Sequence, residues 1–235
     1  MKKMSLLMIV LLLCKAGSAQ VTRDAFYSDA DFLKAYSKIA FVPGNDGKVM
    51  LRKWNQDIKI FVESNRLAYY QKMVTEIIDK INPYLSTIHM GLTEDKGEAN
   101  CLIKVDTITR THYDVSWDDN GNIYKGKIFV NSENIFNSSE QKLYISEYFM
   151  HILADFHIPG KINPALAQRL RLDQDALYDE TVENIHSILK TRLGGFTEFD
   201  LKAIQFQYTQ DLKAGISKNE FMDMVKSVKR QHKAK

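Results

Sequence analysis

Gln141-Lys-Leu-Tyr-Ile-Ser-Glu-Tyr-Phe-Met-His-Ile-Leu-Ala-Asp-Phe156 is the stretch whose reading decides the fold. At about 100° per residue, Ile145, Phe149, Ile152 and Phe156 fall in one narrow arc flanked by Tyr148 and Leu153, the signature of a helix packed on a core. Glu147, His151 and Asp155 follow at i, i+4 and i+8 on the other side. An amphipathic helix of this pattern buries the first set and solvates the second. Upstream, Ser138 with Gln141 fits a capping box, in which each side chain satisfies a helix-end backbone donor. Asn137-Ser-Ser139 also matches a glycosylation sequon, but the cap accounts for the same residues.

The segment before this helix reads as strands. Asp57–Val62 alternates, and further strands are expected around Thr87–Leu92 and Cys101–Thr107. Tyr113–Trp117 and Ile123–Val130 flank Asp118-Asp-Asn-Gly121, and an Asn-Gly pair between alternating runs predicts a type I′ hairpin. Its aromatics, Tyr113, Trp117, Tyr124 and Phe129, serve either cross-strand packing or an exposed edge for peptide or glycan contact. Two helices precede this region. Ser28-x-x-Asp31 opens one carrying Phe32, Leu33, Tyr36 and Ile39, and Asn65 opens a longer one that stops near Pro83. After Pro159 the pattern is helical and polar over Pro164–Leu172, Gln174–Leu193, Thr197–Leu212 and Ser217–Lys229, with Gly194-Gly195 and Gly215 as stops. The order predicts one α+β domain over residues 20–228: a mixed or largely antiparallel sheet, helices packed on it, and a helical C-terminal part.

The ends bound the setting. Met1-Lys2-Lys3, the apolar run Leu6–Leu13 and Gly17-Ser18-Ala19 make residues 1–19 a secretory signal peptide, so the mature chain is expected to start at Gln20. The run is too short to span a bilayer, so no membrane anchor is expected after cleavage. Lys2, Lys3 and Lys15 leave with it, and subtracting these three from 32 basic residues leaves 29 against 29 acidic ones. A near-neutral exported chain, periplasmic or extracellular, gives no reason to expect nucleic acid as a partner. The basic end, residues 229–235 with Lys229, Arg230, Lys233 and Lys235, suits a final helix dipole and reads as a fraying tail. Cys14 goes with the signal, and Cys101 alone in an apolar run reads as a small core residue rather than a catalytic thiol.

The chemistry rests on Glu147. A His-Glu-x-x-His helix places two imidazoles on one face to hold zinc, with the Glu as general base. With Glu147 in the Glu slot, Ser146 and Met150 fill the His slots, and neither is a strong zinc ligand. A strand-and-hairpin region followed by such a helix resembles the zincin arrangement of metallopeptidases. The downstream run Phe196-Thr-Glu-Phe-Asp200 to Gly215, with Ile204, Tyr208 and Leu212, is similar to a segment of the bacterial zincin-like domain-of-unknown-function family 2927. That resemblance covers about residues 140–215, and the strands from about 52 to 131 more loosely. It implies a zincin-like fold whose active-site helix keeps its Glu and lacks the His pair. Met150 and Leu-Ala-Asp-Phe156 depart from the family pattern, and residues 157–192 have no counterpart in it.

The expected function is therefore an exported, non-catalytic protein that binds a peptide or an envelope protein and needs no cofactor. The alternative is a metal-dependent peptidase with Glu147 catalytic and a rearranged zinc set drawn from His151, Asp155 and His157. The third ligand of the extended pattern would fall at Phe156, and His186 is a further donor that nothing in the sequence places.

Overall fold

The structure, a computed structural model, describes residues 23–41, 43–44, 47–133, 138–156 and 196–233. The signal peptide, Asn137, His157, His186, the two helices expected over 164–193 and the glycine pair Gly194-Gly195 lie outside the described residues.

Two short helices come first, α1 (Arg23–Ser28) and α2 (Ala30–Ala40). The α2 cap is Asp29, one residue after the predicted Ser28. Its carboxylate accepts the Phe32 N–H at 2.9 Å, while Ser28 Oγ donates back to Ala25 O. Then follow β1 (Lys53–Trp54), β2 (Ile58–Ser64), α3 (Leu67–Ile81), a 3-10 turn at Asn82–Tyr84 and β3 (Met90–Leu92). β4 (Cys101–Asp106), β5 (His112–Trp117) and β6 (Asn122–Asn131) lead into α4 (Ser138–Ala154), and α5 (Glu198–Gln207) and α6 (Lys218–Lys233) close the described chain.

The sheet runs β1-β6-β4-β2-β3, with β5 also on β6. β1 on β6, β6 on β4, β4 on β2 and β2 on β3 are all parallel, and only β5 on β6 is antiparallel. The sheet is mixed, as expected, but not largely antiparallel. Alternation misleads here because a strand with one wet face looks alike in either direction; direction follows from the connections. In β2 and β4, Ile58, Ile60, Val62, Cys101, Ile103 and Val105 point to the core. The opposite face carries Lys59, Glu63, Lys104 and Asp106, tied into ion pairs such as Lys104–Asp106 at 3.3 Å, with half-buried Phe61, Leu102 and Phe129 between them. Parallel sheets are usually covered on both faces; this one keeps a charged face.

The hairpin is present, but its turn is not type I′. Gly121 N–H bonds Asp118 O at 3.0 Å, and Gly121 alone in that turn has positive φ, +76°. The register shifts between Ser116 and Trp117. A turn closed by a left-handed glycine and a bulge is the three-residue hairpin solution. Gly215 sits against it at φ +81°: a Cβ there would stand 2.6 Å from Asn120 O, and one on Gly121 2.8 Å from Gly215 N. The hairpin tip and the turn before α6 thus meet backbone to backbone.

The helix starts expected at Thr197 and Ser217 are closed by capping boxes with Asp200 and Glu220, with Asp200 N to Thr197 Oγ1 at 3.1 Å and Ser217 N to Glu220 Oε2 at 2.7 Å. Gln141, read as a partner of the α4 cap, is buried and accepts the Tyr70 hydroxyl of α3 at 3.1 Å. Helix α6 continues past Lys229 to Lys233, so most of the basic end is helix rather than tail. Its first turns join an aromatic cluster, with Phe221 beside Tyr36, Phe41 and Phe206, and Tyr36 edge-on to Phe156 at the end of α4. The buried residues form one core, and among the described residues no helix is long and apolar enough to cross a membrane.

Candidate functional site

Helix α4 lies across β6, β5 and β1. It reaches the sheet closely because β6 carries Gly126 beneath it. A Cβ at Gly126 would meet Ile152 Cβ at 3.3 Å, a Trp54 ring carbon at 3.5 Å and Cys101 Sγ at 3.6 Å. The last carbonyls of a helix lack intrahelical partners. Here Trp54 Nε1 donates to Ile152 O at 2.7 Å and the Tyr208 hydroxyl donates to Leu153 O. Tyr208 belongs to the Phe196–Gly215 segment, and its hydroxyl in turn accepts the Trp54 N–H at 3.4 Å. Burial raises the Tyr208 hydroxyl well above the usual phenol range, which keeps it a donor.

The predicted division of α4 into a buried arc and a solvated stripe does not hold. Glu147 is 3% exposed and His151 1% exposed, and Ser146 and Met150 are buried as well. The reason is β5. It runs over the polar side of the helix and presents Tyr113, whose ring stacks on His151 with centroids 4.2 Å apart and planes 6° from parallel. Tyr148 completes the layer, 5.3 Å from Tyr113 between centroids. The Tyr113 hydroxyl is raised by burial first, then by the Asp155 and Glu147 carboxylates; the Tyr148 hydroxyl is raised by burial and then by Glu147. Both phenols therefore keep their protons beside a carboxylate, where a phenol O–H is a natural donor.

Asp155 stands just past the helix with φ +49°, the only non-glycine residue at positive φ among the described residues, and its N–H bonds His151 O at 2.6 Å. Such a conformation strains an L residue, though Asp tolerates it better than most. Asp155 Oδ2 accepts from Arg52 Nη1 at 3.2 Å, Arg52 Nη2 donates to Lys48 O at 2.9 Å, and the guanidinium lies 4.4 Å from the Trp117 ring centre. Arg52 precedes a two-residue strand and carries no sequence signal; its place beneath the hairpin appears only in three dimensions.

Asp155 faces a guanidinium, Ser146 and Met150 hold the histidine slots, and Ser146 Oγ is buried with no hydrogen-bond partner among the described residues. Among those residues no group of three His, Cys, Asp or Glu is arranged to hold a metal ion. Glu147 and His151 are two donors, one short of the three tightly held protein ligands a catalytic zinc needs, and the remaining candidate His157 lies outside the described residues. Cys101 is buried in β4 with its thiol pushed up to about 12 by burial, which suits a core residue and not a nucleophile. Of the hairpin aromatics, Tyr113 and Trp117 pack inward. Phe129 stacks on its cross-strand partner His112 at 4.4 Å, and Tyr124 is the exposed one.

Comparison with family profiles, with curated proteins and with solved structures gives no match to this chain.

Proposed function

We propose that this is an exported zincin-like protein that binds an extended peptide or a segment of an envelope protein and does not hydrolyse it. The observation that carries the reading is the Tyr113–His151 stack, with Glu147 buried on the same side of α4. The polar side of α4 is used to hold β5 in place, where a peptidase would open it to substrate and metal. β5 has β6 on one side and no described strand on the other, so its outer backbone groups form an edge. An extended chain can add there by main-chain hydrogen bonds, with side chains read alternately. The zincin-like part of the reading draws support from the helix carrying Glu147 and from Tyr208, which ties the Phe196–Gly215 segment to the end of that helix.

Metal analysis of the purified mature protein tests the non-catalytic half. Sub-stoichiometric zinc, unchanged in His151→Ala, is expected. Stoichiometric zinc lost in that variant, with chelator-sensitive peptide cleavage lost in Glu147→Ala, would establish the peptidase instead. The binding half is read by hydrogen exchange with a mixed pool of short peptides. Slower exchange is expected in β5, and protection confined to other elements would remove the edge-strand mode.

A further inference from the structure

Lys53 is 6% exposed, yet its ammonium is held only by neutral partners. Nζ donates to Gln207 O at 3.0 Å and Leu212 O at 2.9 Å, and lies 5.1 Å from the Tyr208 ring centre. Among the described residues no carboxylate pairs with it and its third N–H has no hydrogen-bond partner. Burial lowers its pKa to about 8, so the side chain still carries charge at neutral pH. A buried cation without a counter-charge is costly, and proteins ordinarily supply one. Beside Lys53 is a cavity of about 360 Å³ on the outside of the β1–β6 junction, away from the Glu147–His151 cluster. Lys53, Lys213, Asn55, Asn120, Asn122 and Thr87 supply its polar lining, and no acidic residue contributes. Its volume is at the small end of ligand pockets. Lysines with amides and a hydroxyl match an anion on a small polar body, since ammonium groups complement the charge and amides read neighbouring hydroxyl or amide groups.

We propose that this cavity binds a small organic carboxylate, with Lys53 and Lys213 as the cationic side of the site and the asparagines holding the polar remainder of the ligand. The inference is independent of the peptide reading of β5.

Calorimetric titration of the mature protein with galacturonate, galactose, acetyl-Ala-Ala and acetyl-Ala-Ala amide tests it. At least one of the two acids should bind one-to-one, about tenfold or more tighter than its uncharged counterpart. Lys213→Glu, on the exposed side of the cavity, and Asn55→Asp should each weaken that acid by about tenfold with the circular dichroism spectrum unchanged. Lys53→Met should abolish binding; should it fail to fold, the two surface variants decide. Galacturonate alone assigns a sugar acid, and acetyl-Ala-Ala alone a peptide carboxyl terminus. The proposal is overturned by any of three results: no acid binding below about 10 mM, equal binding of acid and neutral forms, or affinity unchanged in both surface variants.

Discussion

At the scale of single residues, Asp155 and Cys101 make the sharpest statements. Asp155 accepts a left-handed backbone because its carboxylate meets the buried Arg52 guanidinium. Asp155→Ala should cost about 2 kcal/mol in chemical denaturation, since it leaves Arg52 buried without that partner and keeps the backbone strain. Asp155→Gly should cost less, because glycine relieves the strain though the ion pair is still lost. Equal losses would mean that the backbone conformation carries no penalty. Cys101 has its folded pKa raised from 9.0 to about 12, so its neutral form is favoured by folding. The associated stability is fully present below the unfolded value and is lost as pH rises from there toward the folded value. At one unit above the unfolded value this amounts to about 1.4 kcal/mol. Denaturation curves of the wild type and Cys101→Ala should therefore converge as pH rises above 9. A constant gap would refute the buried-thiol account.

At the scale of elements, the contact between α4 and the sheet depends on what is missing at position 126. Gly126→Ala should cost about 1 kcal/mol and Gly126→Val about 3 kcal/mol, as each added methyl pushes Ile152 and Trp54 from low-energy positions. Thermal melting orders them; a neutral Gly126→Val would show that α4 is free to shift. The end of the same helix depends on Tyr208. Tyr208→Phe removes one donor from a buried carbonyl and should cost about 1–2 kcal/mol, with faster hydrogen exchange at Asp155 N–H, the next bond along. Protection unchanged at that amide would separate Tyr208 from the helix end. Much of this level was legible beforehand: helices opened by Thr197 and Ser217, a long helix ending before Pro83, and a hairpin at Asn120-Gly121 all rest on local chemistry that the chain carries with it. The turn type was not, because the packing of Gly121 against Gly215 selects a single left-handed residue.

At the scale of the whole molecule, a buried polar network ties the N-terminal helices, β1 and the C-terminal segment together. The Tyr36 hydroxyl donates to Gln207 Oε1, Gln207 Nε2 donates to Arg52 O at 2.7 Å, and Lys53 reaches Gln207 O. Arg52 meets Asp155 at the end of α4 and Lys53 lines the small cavity, although the two are adjacent in sequence and the strand that begins at Lys53 is too short to give a periodicity signal. Nothing about residues 51–54 read alone distinguishes them from a loop.

The sequence by itself determined where most of the described helices and strands form, α1 and β1 excepted, which face of β2 and β4 is apolar, and that the histidine slots around Glu147 hold Ser146 and Met150. These follow from side-chain periodicity, capping chemistry and residue identity, all properties of short segments. Only the tertiary structure decided that the sheet is mainly parallel, that Glu147 and His151 are buried under Tyr113, and that Asp155 meets Arg52 while Lys53 borders a cavity. Strand direction and the cover over a helix face depend on connections and on residues far apart in the chain, so a stripe that reads as solvated along α4 becomes interior once β5 crosses it.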